Sequence, residues 1–225
     1  MDYLQKIRRL YNLSAEVDFG YPVEEIIALE LRLGIILPAE LKNYFLNLGK
    51  NEAINFSYNR LLTPAKEIDF SNDGYLMIYE ENQAVVSWGI KKEDLKLASP
   101  SVWGNACTEE NPDWYLETDS IESFFLLMAV YNGTFGGLKY HANYFGNVGP
   151  GILQVIEKYW TTVPEISYEG QKVYTDDFYE LVSLSFDEKG NCEAIFIGSS
   201  DEKRFDEILD TIVVDWSYTS YEDED

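Results

Sequence analysis

The chain has 225 residues, 46% of them hydrophobic and 15% aromatic, enough for a full core, since chains of this size hide about 70 to 75% of their unfolded surface. Forty Asp and Glu against 17 Lys and Arg give a formal net charge of -23, a field that repels phosphate backbones and anionic lipid and steers cationic partners. Direct nucleic-acid or membrane binding is disfavoured on that ground, and the acid is concentrated late: residues 1–112 hold 17 acidic and 11 basic side chains, residues 113–225 hold 23 and 6.

No apolar run reaches the roughly 18 residues that span a bilayer, and the start MDYLQKIRRLYNL lacks the apolar block of a secretion signal. A single cytoplasmic domain over residues 1–225 is therefore expected. Leu4, Ile7, Leu10, Tyr11 and Leu13 fall near helical spacing, and SAEVDFGYP breaks the pattern. PVEEIIALELRLG then opens at Pro22, a residue suited to the first helical position, and stops at Gly34. ILPAELKNYFLNLG repeats that grammar, with Leu41, Tyr44, Phe45 and Leu48 on one face.

The period then changes. NFSYNRLLTPAKEIDF and DGYLMIYEENQAVVSWGI alternate as strands do, with Asp73 and Gly74 as a turn entry. SIESFFLLMAVYNG reads as a buried helix too short for a membrane. TFGGLKYHANYFGNVGPG is a glycine-rich connection with room for a strand, and ILQVIEKYW is a helical turn or two. YELVSLSFDEKGNCEAIFIGS predicts a hairpin about Lys189–Asn191, DEKRFDEILDTIVVDW an acidic amphipathic helix, and SYTSYEDED a solvated tail. Helices first and last with strands between favour α+β and a largely antiparallel sheet.

Catalytic parts are scarce. His141 is the only histidine, and no Ser or Cys partner is placed for it by a motif, so a structural role is expected. The adjacent carboxylate pairs Glu80/Glu81, Glu109/Glu110 and Asp176/Asp177 would point to opposite faces of a strand. GNVGPG lacks the Lys and Ser/Thr of a phosphate loop, and Pro150 removes a backbone donor. Cys107 and Cys192 stand apart without a CxxC or Cys/His cluster and are expected as small core residues. No DxDxDG loop offers a calcium site. No enzyme, cofactor or metal is expected. What stands out is aromatic wealth: 17 Tyr, 12 Phe and 5 Trp, residues that supply stiff contact area at small entropic cost when a partner binds.

LGIILPAELKNYFLNLG at 33–49, LLTPAKEI at 61–68 and GYLMIYEENQAVVSWGI at 74–90 together resemble the SUKH superfamily, the group typified by fungal Smi/Knr regulators. DWYLETDSIESFFLLMAVYNG is similar to that family's closing strand and helix. The motif positions are Gly34, Leu37, Pro38, Leu61, Glu67, Gly74, Trp88 and Gly89, and the likeness covers residues 22 to about 133. It implies helices packed on a strongly bent, largely antiparallel sheet whose face and loops bind a partner, with residues 134–225 adding an acidic hairpin and helix. It also implies, for a bacterial member, an immunity protein that neutralises a toxin domain, often a nuclease. A cationic toxin domain is the partner expected, through Tyr79, Glu80, Glu81, Asn82, Gln83, Trp88, Trp103 and Trp114. The alternative is a non-enzymatic scaffold or regulatory module.

Overall fold

The structure is a computed structural model that describes residues 1–14, 16–106 and 112–223. Cys107 and the Glu109/Glu110 pair lie outside the described residues. In chain order the elements are α1 (Tyr3–Leu10), α2 (Val23–Leu33), α3 (Ala39–Asn47), α4 (Glu52–Asn55), β1 (Arg60–Leu61), β2 (Tyr75–Glu80), β3 (Ser87–Lys91), β4 (Val102–Asn105), β5 (Trp114–Thr118), α5 (Ile121–Asn132), β6 (Tyr140–Phe145), α6 (Pro150–Tyr159), β7 (Thr161–Thr162), β8 (Gln171–Thr175), β9 (Glu180–Phe186), β10 (Cys192–Ser199), α7 (Glu202–Thr211) and β11 (Tyr218–Thr219). The chain divides into two compact units, Glu16–Met128 and Met1–Ala15 with Ala129–Asp225. Among the described residues no helix is long and apolar enough to cross a membrane.

In Glu16–Met128 the five strands form one antiparallel sheet in the order β1-β2-β3-β4-β5. Gly34 ends α2 in the left-handed conformation (φ 65°), its N–H donating to the Glu30 carbonyl; glycine takes that conformation without a Cβ clash. Pro22 and Pro38 sit just before α2 and α3, at the cap position with extended ψ, rather than as the first helical residue. The core gathers Tyr44, Phe45, Leu61, Ile78, Phe124 and Phe125, each fully buried. Burying one such side chain contributes about 1.5–3 kcal/mol. Tyr44 stacks on Phe125 at 3.4 Å. Its hydroxyl donates to Asn55 Oδ1 at 2.7 Å, and Asn55 Nδ2 donates to the Leu48 carbonyl, so the buried amide is satisfied.

Strand pairing over residues 55–70 is shorter than its alternation predicts: two residues in β1 and an isolated bridge from Phe70 to Leu76. Pro64 has no N–H to give a ladder, and the Glu67 carboxylate instead accepts from Thr63 N and Oγ1 at 2.9 and 2.8 Å. That local turn outcompetes the sheet.

Met1–Ala15 with Ala129–Asp225 builds its own antiparallel sheet, ordered β11-β6-β10-β9-β8-β7. Its core packs Tyr140, Ile156, Val182, Ile195, Phe205 and Ile208 together. The β9–β10 turn falls where predicted: Asp187 Oδ1 accepts from Lys189 N and Asn191 N, and Gly190 has φ 79°. Asp201 caps α7 by accepting from Arg204 N.

The α+β class with antiparallel pairing holds, but the single bent sheet is corrected to two. Residues 134–225 are more than a hairpin and a helix, because β6, β7, β8 and β11 extend the β9–β10 pair over a separate core. The expected solvated tail is also corrected. Tyr218 and Thr219 pair with β6, and Tyr221 edges onto Phe205 at 5.5 Å while its hydroxyl donates to Asp206 at 2.8 Å. Two aromatic rings inside the acidic run gain more from docking than from hydration.

Candidate functional site

Register decides what the first sheet presents. Tyr75 pairs with Lys91, Met77 with Gly89, Gly89 with Trp103, and Trp103 with Leu116, so these positions share one face. Leu76, Ile90 and Val102 are buried on the other, where Trp88 meets Phe124 of α5. On the first face the Trp114 ring lies over Tyr75, centroids 3.6 Å apart and planes within 7°. A flat sheet would hold β2 and β5 roughly 14 Å apart, three strand spacings. Bulges between Met77 and Tyr79 and between Val102 and Trp103 add twist, and the two long rings close over the face.

Asp73, in the turn before β2, fixes that arrangement by accepting from Trp114 Nε1 at 2.6 Å. Burial pushes its carboxyl up, but hydrogen bonds from Ser71 and Trp114 outweigh it and hold the group below its ordinary range. Tyr75 is pushed up by burial and then by the charges of Asp73 and Glu93. Beneath, Lys91 Nζ sits 3.6 Å from the Trp103 ring centroid, and Trp103 Nε1 is buried without a hydrogen-bond partner. An orphaned buried donor costs about 1–3 kcal/mol. The face therefore carries ring surface and a carboxylate, with an unused N–H buried behind them.

The β2–β3 tip spends its two carboxylates inward. Glu80 pairs with Arg60, which also holds Glu67 at 2.7 Å. Glu81 Oε2 accepts from Gln83 N and Val85 N, closing the loop on itself. Only Asn82 and Gln83 of the four tip residues are exposed.

The reading of Tyr79 and Trp88 as contact residues is corrected: Tyr79 is wholly buried and Trp88 is 5% exposed. The bulge turns Tyr79 inward beside Phe124, ring centroids 5.6 Å apart, and Trp88 Nε1 donates to Glu117 at 2.8 Å. Burial pushes the Glu117 carboxyl up, partly opposed by hydrogen bonds from Trp88 and Tyr115. The structure thus places Trp103 and Trp114 on one face of the sheet, with Glu80 at the tip in the cross-strand row of Trp114. It adds Tyr75, Lys91 and Asp73, of which Tyr75 was findable from the alternation of YLMIYE.

Among the described residues no three His, Cys, Asp or Glu side chains gather as a metal set. His141 lies on β6 with Nδ1 3.1 Å from the Leu138 carbonyl, a structural contact. Of the GNVGPG run, Gly149 caps α6 and Pro150 begins it. Cys192 is buried in the second core, as expected of a small apolar residue. An open groove of about 710 Å³ is lined by Ile36, Leu37, Ala39, Leu97, Lys42 and Lys96, which place no nucleophile beside a base.

No protein-family model matches the chain, and neither a curated protein nor a solved structure matches it significantly.

Proposed function

We propose that this chain is a SUKH-like immunity protein that binds a cationic toxin domain in the cytoplasm and blocks it by occupation, without chemistry of its own. The observation that carries this reading is the outer face of the first sheet, where the Tyr75–Trp114 stack and the Asp73 carboxylate are offered on a chain of net charge -23. Ring faces and carboxylates are what lysine and arginine side chains bind best. Supporting it, the positions that carry the SUKH resemblance have structural work here: Gly34 ends α2, Leu37 and Leu61 are buried, and Glu67 ties the turn at Thr63.

The test is co-expression with the toxin domain encoded beside it. Growth rescue by the wild type, weakened by Trp114→Ala, is the expected result. A purified pair should associate about 10- to 1000-fold faster at low salt than at high salt. Rescue without any salt dependence would remove the electrostatic part, and absence of rescue would remove the immunity reading.

A further inference from the structure

The second unit has an aromatic face of its own. Asn143 lies opposite Phe196 on β10 and Tyr218 on β11. Along β6, His141 and Phe145 share its face by the two-residue period of a strand. Phe196 packs against Phe145 (5.6 Å) and Phe135 (5.2 Å), and Phe145 is 60% exposed. In the middle, Asn143 Oδ1 is buried and accepts no hydrogen bond. An amide there is a net cost to the fold, since a leucine would fill the space without leaving an acceptor unmet.

Elsewhere the chain shows what its rings attract. Lys91 lies over Trp103, Lys172 over Phe186 at 5.4 Å, and Arg9 and Arg204 over Tyr179 at 4.9 and 4.6 Å. Among the described residues no Lys or Arg lies over Phe145 or Phe196. The segment that builds this face is also the acidic one, with 23 Asp and Glu against 6 Lys and Arg in residues 113–225.

We infer that the face around Asn143 receives an arginine side chain of a basic protein partner. A guanidinium stacks flat on phenyl rings and gives an N–H to an amide oxygen at once; an ammonium is more strongly hydrated and lacks the planar fork. Phe145 is the exposed ring on which the guanidinium stacks, and side chains of this face must move for the buried Oδ1 to be reached. This rests on the proposed capture of a cationic protein and adds a second contact outside the SUKH-like segment.

The experiment titrates the full-length protein with fluorescein-labelled (Gly-Arg)4 and (Gly-Lys)4 peptides at about 150 mM salt, where loose charge attraction is screened. Variants are Phe145→Ala and Asn143→Leu, with thermal unfolding to show that both fold. The wild type should prefer the arginine peptide, and each variant should bind it about fivefold more weakly, while Asn143→Leu unfolds at the same or higher temperature. Equal affinity of the wild type and Phe145→Ala, or equal binding of the two peptides, overturns the inference. Growth rescue does not use these peptides, so it tests the immunity reading separately.

Discussion

Trp114 lies flat on Tyr75, although two strands separate theirs, and one hydrogen bond from its indole to Asp73 closes the arrangement. Trp114→Phe keeps a ring over Tyr75 and removes that donor. The Asp73 carboxyl then rises toward its ordinary value, because one of the bonds opposing burial is gone. Its stabilisation, present above the unfolded value and lost as pH falls through the depressed folded one, shrinks accordingly. Carboxyl-detected NMR titration of the two proteins measures the change; an unmoved Asp73 would show that the bonds from Ser71 and the backbone set it without Trp114.

Glu117 titrates with the opposite sign. Its folded value is raised by burial, so its contribution is complete below the unfolded value and is lost as pH climbs through the folded one. Glu117→Gln keeps an oxygen for Trp88 Nε1 and removes the ionisation. The variant should unfold at higher temperature than the wild type at about pH 8 and at the same temperature near pH 4. A constant offset at every pH would assign the effect to packing.

At the hairpin tip Ala84 adopts φ 57° while exposed. A left-handed conformation costs a residue with a Cβ about 1–2 kcal/mol, partly offset by the extra freedom glycine has when unfolded. Ala84→Gly should therefore raise stability by roughly 0.5–1 kcal/mol, read from urea unfolding.

Phe205 is fully buried and touches both Tyr140 and Tyr221. Phe205→Ala should cost about 3–5 kcal/mol and release the end of the chain, which proteolysis after residue 216 would report. Tyr221→Phe, losing only the bond to Asp206, should cost about 1 kcal/mol.

Long periodic segments were legible. The helices α2, α3, α5 and α7 and the β9–β10 hairpin follow from spacing, caps and the Asp187–Asn191 turn. What escaped were strands with broken patterns. VWGN of β4 is four residues with a glycine, and β7 and β8 are separated by Pro164 and Gly170. The site was half legible: Trp103 and Trp114 reach the outer face, while the bulge after Met77 inverts Tyr79, and no period-two reading foresees an inserted residue. The pairing of Asp73 with Trp114 spans 41 positions and leaves no local trace.

The self-closed tip carries a freedom. Because Glu81 ties the backbone at Gln83 and Val85 through its own carboxylate, the side chains of Asn82 and Gln83 bear no structural duty. Those two positions can accept other side chains while the strands behind them keep register, so the loop's surface chemistry is separable from the fold that carries it.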